Sequence, residues 1–323
     1  MDQLQNFQSL SINSQPSPSS TQLSLEERFK IIRSVGEECI QEDELLNLLK
    51  HKSEPISYDG FEPSGRMHIA QGVMKVINVN KLTSAGCRVK IWIADWFAQL
   101  NNKMGGDLEK IKIVGQYFIE IWKAAGMDLN GKVEFLWSSD EINSRAHEYM
   151  PLLMDIGRRN KLSRILRWTF VSWAWIKGKL ICLQENMLPG LKQGQEKMSK
   201  SDPTSSIFME DDEEEVVMKI KNAYCPPKIV EGNPCLEYIK YIILPWFNEF
   251  SLKRKVENGG DKVFKNFEEL ISDYESGEVN PDDLKDALST ALNKILQPVR
   301  DHFNNDPKAK DLLKRVKSFQ VTR

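Results

Sequence analysis

Ser57-Tyr58-Asp59-Gly60-Phe61-Glu62-Pro63-Ser64-Gly65-Arg66-Met67-His68-Ile69-Ala70-Gln71 reads as a strand over Ser57 to Phe61, a turn through Pro63 and Gly65, and a helix beginning near His68. A strand that passes directly into a helix puts backbone amides and a histidine at the strand's carboxyl end, a setting suited to phosphate oxygens. Outward from it, His68 to Ser84 reads as a helix, Arg88 to Asp95 as a buried strand, Asp107 to Ala125 as a helix, Lys132 to Trp137 as a strand and Ser139 to Asp155 as a helix. Strands alternating with helices of that length predict βαβ units and a parallel, Rossmann-like α/β sheet. Ligands on such sheets bind at the carboxyl ends of the strands, where Tyr58 to Gln71 and Asp95 to Gly106 emerge.

Ahead of this unit, Ser24-Leu25-Glu26-Glu27 has capping-box spacing and opens a helix, and a second helix follows over Glu42 to Leu49. Met1 to about Thr21 is rich in Ser and Gln, lacks an apolar core and arginines, and reads as a disordered tail. Beyond Asp202 the strand signal fades. Val216 to Ala223, Leu236 to Phe250, Phe267 to Tyr274, Pro281 to Phe303 and Lys308 to Lys317 read as helices, so a helical domain is expected over 210–323, after a catalytic domain over 24–209. The acidic run Glu210 to Glu215 is expected at a helix N-terminus, where negative charge is favourable.

The second chemically suggestive stretch is Lys197-Met198-Ser199-Lys200-Ser201, between Met187-Leu188-Pro189-Gly190 and Asp202-Pro203. Two lysines three apart, with hydroxyl residues and glycines near them, make a cationic loop able to fold over a triphosphate and release it. The 323 residues carry a net charge of −2, with 28% charged and 41% apolar residues, which argues against a generally basic nucleic-acid coat but leaves room for local patches. Two such patches are Arg158, Arg159, Lys161, Arg164, Arg167, and Lys308, Lys310, Lys314, Arg315, Lys317; a solvated helix face is the simpler account of either. The five cysteines, Cys39, Cys87, Cys182, Cys225 and Cys235, form no Cys-x-x-Cys pair and give no zinc or disulfide framework. No metal ligand set is expected, and no apolar run approaches the ~20 residues that span a bilayer.

Together the His68 stretch and the Lys197 loop resemble the two signature elements of a class I aminoacyl-tRNA synthetase, the first being a variant of His-Ile-Gly-His. Their surroundings resemble tyrosyl-tRNA synthetase of the archaeal and eukaryotic cytosolic type. The likeness extends to Ile93-Ala94-Asp95, Arg159-Asn160-Lys161, Leu188-Pro189-Gly190-Leu191, Ala223-Tyr224-Cys225-Pro226, Glu231-Gly232-Asn233-Pro234, Gly259-Gly260-Asp261 and Pro281-Asp282-Asp283-Leu284-Lys285, over about residues 25–167 and 186–319. It implies a cytoplasmic ligase that activates tyrosine with ATP, accompanied by Mg2+, and transfers it to tRNA(Tyr). By this resemblance Tyr58, Gly60 and Glu62 bind tyrosine, and His68 and Gln71 bind ATP. Lys197, Met198, Ser199, Lys200 and Ser201 hold the pyrophosphate, with His68, Lys197 and Lys200 as the catalytic groups. The helical domain reads the anticodon through Asp283 and Asn280. The tryptophanyl relative shares the signature loops, but the Tyr58-to-Gly65 context argues against it.

The resemblance fails between Arg167 and Glu185. The family should show Tyr-Pro-x-x-Gln-x-x-Asp and then Gly-x-Asp-Gln-Arg-Lys, whereas this chain has Trp168-Thr169-Phe170-Val171-Ser172-Trp173-Ala174-Trp175-Ile176-Lys177-Gly178-Lys179. Codons for Trp-Ala-Trp-Ile-Lys-Gly-Lys, read one nucleotide earlier, force Gly-(Leu, Met or Val)-Asp and permit Gln-Arg-Lys. Residues from about Thr169 to Leu183 are therefore read as the lost motif out of frame, downstream of an omitted coding segment; the competing reading is a genuine tryptophan-rich element. Half of the tyrosine pocket would then be missing, the family's homodimer is put in question, and a catalytically inactive chain that still binds tRNA or a partner is the alternative function.

Overall fold

The computed structural model describes residues 23–160, 183–184, 188–198 and 202–319, so nearly all of the aberrant stretch from Trp168 to Glu185, Cys182 included, lies outside the described residues. Helix α1 (Leu25–Arg33) begins with the capping box read from sequence: Glu27 N–H donates to Ser24 Oγ at 3.2 Å, and Ser24 N–H donates to the Glu27 carboxylate at 2.8 Å. Helix α2 (Glu42–His51) follows and packs against α1, burying Leu45 and Leu49.

Three parallel strands, β1 (Ile56–Phe61), β2 (Arg88–Ile93) and β3 (Val133–Trp137), lie in the order β1-β2-β3, with Ile56 opposite Arg88 and Val89 opposite Val133. Parallel neighbours need crossover connections, and the sequence supplies helices. A π-turn over Ala70–Met74 continues as α3 (Lys75–Ser84) between β1 and β2; α4 (Asp95–Leu100) and α5 (Leu108–Ala124) connect β2 to β3. Helix α5 brings Val114, Phe118, Ile121 and Trp122 into the core with Ile91 and Ile93. Trp122 meets Phe61 edge-on at 4.9 Å and stacks on Phe135 at 6.0 Å, tying β1 and β3 to one helix. Asp95, expected at the end of β2, instead opens α4; its buried carboxylate accepts from Ser138 Oγ, Ser139 N and Ser139 Oγ at 2.5–2.9 Å, which joins the ends of β2 and β3.

The helix expected over Ser139 to Asp155 is two, α6 (Ser138–Ser144) and α7 (Ala146–Arg159), because Arg145 leaves helical geometry. No residue of α7 is buried.

The later part is helical, as expected, with one correction. Helices α8 (Glu213–Lys221), α9 (Pro234–Tyr238, continued by a π-turn over Ile239–Ile243) and α10 (Leu244–Phe247) come first. The helix predicted to reach Phe250 stops at Phe247, since Asn248 turns left-handed (φ 58°) and Phe250 enters a hairpin of β4 (Phe250–Leu252) with β5 (Lys262–Phe264). That hairpin buries Phe250, Leu252 and Phe264, apolar residues that a continued helix would have left uncovered. Helices α11 (Phe267–Ser276), α12 (Pro281–Asn305) and α13 (Pro307–Ser318) complete the chain. Helix α12 lies along α8 and reaches α5, where His302 Nε2 is 3.0 Å from Glu120 and the Phe303 ring is 5.9 Å from that of Tyr117, so the helical part sits directly on the sheet layer.

Gly115 is where α5 approaches the sheet most closely: a Cβ there would lie 2.5 Å from the Trp137 ring and 2.9 Å from Ile93. Gly115→Ala is expected to destabilise the fold by about 1–3 kcal/mol, the usual cost of overpacking, read as a lowered urea midpoint with an unchanged m-value.

Candidate active site

Strand alternation puts Ile56, Tyr58 and Gly60 on one face of β1, and that face is open: Ile56 is 62% and Tyr58 41% exposed. The Tyr58 hydroxyl lies over Gly60, 3.8 Å from where a Cβ would stand. Burial, and then the Asp59 charge, raise the Tyr58 phenol above its ordinary pKa. Glu62, just past the strand, accepts from Asn101 Nδ2 at 3.0 Å. On the opposite face Asp59 pairs with buried Lys75 and accepts from Gly60 N–H at 2.8 Å. A cavity of about 230 Å3 at this edge is bounded by Tyr58, Asp59, Lys75 and Asn78 among apolar residues of α1, α2 and α3. Asn78 Nδ2 is buried there without a hydrogen-bond partner among the described residues. Lys75 and Asn78 carried no motif that pointed to them.

The turn after β1 requires glycine at Gly65, whose φ is 122°. His68 follows immediately before the helix, and its carbonyl accepts from Gln71 N and Gly72 N at 2.9 and 3.1 Å. The helix starts as a π-turn, a widening often found at functional sites. Gln71 Oε1 is buried and lacks a hydrogen-bond partner among the described residues, an acceptor left over at the predicted nucleotide end of the site. Facing this segment, Ile207 to Met209 runs antiparallel: His68 bridges to Phe208, Ile69 N–H donates to Ile207 O at 2.8 Å, and Met209 N–H donates to Met67 O at 2.9 Å. Gly72 permits that approach, since a Cβ there would lie 2.1 Å from Met209 Sδ.

Ile207 is also where the chain returns from the lysine loop. Lys197 is exposed and Met198 buried; Ser199, Lys200 and Ser201 lie outside the described residues. The base of the loop is pinned by Gly190 N–H to Gln195 O (3.0 Å), Gln195 Nε2 to Ser205 Oγ (2.9 Å), Leu191 N–H to Ser205 O (2.9 Å) and Lys192 to Asp202 (2.6 Å). The Lys192 ammonium, with Thr204 second, holds the Asp202 carboxyl below its usual range. The fold thus lays the chain that leaves the lysine loop, Ile207 to Met209, on the His68 segment.

The acidic run divides. Asp212 caps α8 with Glu215 as its capping-box partner, as expected, but Glu210 and Asp211 are buried. They take Arg66 from the His68 segment, at 2.5 and 2.9 Å, and Asp211 takes Lys219 at 2.5 Å. Such pairing across the fold leaves no local pattern in sequence.

Asn280 is the N-cap of α12: its Oδ1 accepts from Asp283 N–H at 2.9 Å and its Nδ2 donates to Asp283 Oδ2 at 2.6 Å. Of the first basic patch, Arg158 and Arg159 both pair with Asp155, and Lys161, Arg164 and Arg167 lie outside the described residues. Lys308 and Arg315 of the second line a cavity of about 850 Å3 between α5 and α13, alongside Lys112, Asp140 and Asp311.

A parallel sheet with a histidine-led helix after its first strand, and a lysine loop returning onto that histidine's segment, defines the class I synthetase arrangement. Comparison with known proteins agrees. The profile of class I tRNA synthetases (W and Y) matches residues 50–179 and 176–297. Cytoplasmic tyrosine–tRNA ligase 1 of Arabidopsis thaliana is 62% identical over 93% of this chain and 90% of its own length, and cytoplasmic tyrosine–tRNA ligase 2 of the same plant is 57% identical over 97% of this chain and 49% of its own. The tyrosyl-tRNA synthetase of Leishmania major, solved with tyrosinol, superposes with a TM-score of 0.81 at 41% identity, over 92% of this chain and 53% of that one. The chain belongs to the tyrosyl-tRNA synthetases, of the eukaryotic cytosolic type.

Asn280→Ala removes a cap before it removes anything else, so it should cost about 1 kcal/mol of stability, measured by chemical denaturation in the absence of tRNA.

Proposed function

We propose that this chain is a cytoplasmic tyrosine–tRNA ligase, forming tyrosyl-adenylate from tyrosine and ATP and passing the tyrosyl group to tRNA(Tyr). The observation that carries this is the 62% identity, over 93% of the chain, to an Arabidopsis protein named for that activity and that compartment. The site chemistry agrees. Attack of the tyrosine carboxylate on the α-phosphorus expels pyrophosphate, and catalysis consists of holding ATP and stabilising charge that grows on phosphate oxygens. His68 and the amides behind it serve the phosphate oxygens, Gln71 offers its free acceptor to the nucleotide, and Lys197 to Ser201 neutralise the leaving pyrophosphate. Tyr58, Gly60 and Glu62 receive tyrosine on the open face of β1. Mg2+ is proposed to enter with the triphosphate. Asn280 and Asp283 are proposed to meet the anticodon from the half-buried start of α12.

We further infer that a segment of the family's catalytic domain is absent between Arg167 and Met187. The family profile stops and restarts at 176–179, within the stretch where the resemblance fails. The alignment to the Arabidopsis relative spans 348 positions, about 48 more than the roughly 300 residues that make up 93% of this chain. The surfaces left bare agree with such a loss. Among the described residues β1 pairs only with β2, its tyrosine face is open, and α7 exposes Met150, Leu152, Leu153, Met154 and Ile156. A family-type homodimer would depend on how that surface is covered.

Tyrosine-dependent exchange of pyrophosphate into ATP is the test. Exchange is expected with a KM for ATP like that of full-length relatives and a KM for tyrosine at least tenfold higher, each tenfold corresponding to about 1.4 kcal/mol of lost pocket; absence of exchange from a folded sample would reject the ligase reading. Lys200→Ala is expected to slow adenylate formation on the order of a hundredfold while leaving tyrosine affinity within about twofold; a large loss of tyrosine binding would reject its role at the pyrophosphate.

A further inference from the structure

Four charged side chains, Arg66, Glu210, Asp211 and Lys219, lie between the His68 segment and the chain leaving the lysine loop, and none of them is given a catalytic or binding role above. The Arg66 guanidinium donates from Nε to Glu210 at 2.5 Å and from Nη2 to Asp211 at 2.9 Å, while its plane covers the Phe208 ring at 4.1 Å. Glu210 uses its second oxygen to accept from Tyr117 OH at 2.7 Å, and that phenol oxygen accepts from Met67 N–H at 3.3 Å. Asp211 uses its second oxygen for Lys219 at 2.5 Å and for Phe208 N–H at 2.8 Å. The Asp211 carbonyl accepts from Arg300 Nε of α12 at 2.8 Å, and Arg300 is steadied by Asn293 at 2.5 Å. Glu210, Asp211 and Lys219 are buried, and Arg66 is only 26% exposed.

Two cations and two carboxylates cancel, and every carboxylate oxygen accepts at least one hydrogen bond, the condition under which buried charges are tolerable. A hydrophobic cluster could join the same segments without the cost of dehydrating four charges. What ions add is direction: a bidentate guanidinium fixes both distance and angle. Here it holds the chain at Arg66, two residues before His68, against Phe208, six residues after the lysine loop returns at Asp202. Phosphoryl chemistry that works by positioning is sensitive to displacements of about 1 Å.

We propose that Arg66, braced by Glu210 and Asp211, is a positioning residue for adenylate formation: it locks the His68 segment in register with the exit of the lysine loop, and Arg300 extends that lock to the helical part. The proposal rests on the ligase reading above. The reacting groups touch substrate; the quartet holds the two halves of the nucleotide site at one fixed separation.

The test uses the full chain with Arg66→Lys, Arg66→Met, Arg300→Met and the double variant Arg66→Met/Glu210→Gln, which keeps the buried charge balanced where Arg66→Met alone is prone to unfold. Two readouts are taken per folded molecule: kcat and KM in tyrosine-dependent pyrophosphate exchange, and hydrogen exchange of the Ile69 and Met209 amides, the two bonds that zip the segments together. The expectation is a kcat loss of about 30–100-fold in the double variant with the tyrosine KM within about twofold, partial recovery in Arg66→Lys, a smaller loss in Arg300→Met, and at least tenfold faster exchange at both amides. Wild-type kcat in the folded double variant, or unchanged protection at Ile69 and Met209, overturns the proposal. Should the unaltered chain show no pyrophosphate exchange, the ligase reading fails, and the amide protection alone decides whether the quartet sets the register.

Discussion

Parallel pairing of β1 with β2 is the constraint from which the site follows. Because the strands run the same way, each must be reached by a crossover helix, and every strand delivers its carboxyl end to the same edge of the sheet. Phe61, Ile93 and Trp137 therefore end side by side, and what comes next in sequence is laid out along one rim: the Pro63-to-His68 turn, the Asp95 start of α4, and the Ser138 start of α6. Asp95, holding Ser138 and Ser139, is the clasp of that rim. Nothing in the chemistry of tyrosine or ATP is needed to explain why these segments meet; the hydrogen-bond geometry of the sheet requires it.

Local patterns were read correctly where local energies decide. The capping box at Ser24, the strand β2, the helix α5 and the proline-led start of α12 each lie within a residue or two of their expected places. Two of the departures share one cause, long-range burial overriding short-range preference. Leu236 to Phe250 has a continuous helical pattern, yet Phe250 gains more by pairing across a hairpin with Phe264 than by extending the helix. Glu210 and Asp211 look like two more acids at a helix start; only the fold reveals that Arg66, 144 residues away from Glu210, comes to meet them.

The candidate site was readable to a similar depth. Tyr58, Gly60, Glu62, His68 and the lysine loop are recognisable because a strand, a turn and a helix start impose a short sequence grammar on the residues proposed to bind substrate. Their supports are not. Lys75 under Asp59, Asn78 at the edge cavity, Tyr117 behind Glu210 and Gly72 under Met209 are each an ordinary residue of its type, made specific by one neighbour far away in the chain.

The two sides of the site differ in what holds them. On the nucleotide side, the His68 segment is fixed by two backbone bonds to Ile207 and Met209, by the quartet around Arg66, and by Arg300 from the helical part, all provided by residues on either side of the stretch from Trp168 to Glu185. On the proposed amino-acid side, Tyr58 and Gly60 stand on a strand with one neighbour among the described residues, although parallel sheets normally bury both faces of such a strand. The same strand turns an apolar side chain, Ile56, to solvent. Helix α7 repeats the imbalance with its uncovered stripe from Met150 to Ile156. Loss of a segment that once covered both would therefore weaken recognition of tyrosine far more than the geometry around the phosphates. The asymmetry is one of support: the His68 segment is braced by charge across the fold, whereas among the described residues Tyr58 and Gly60 lean on a single neighbouring strand.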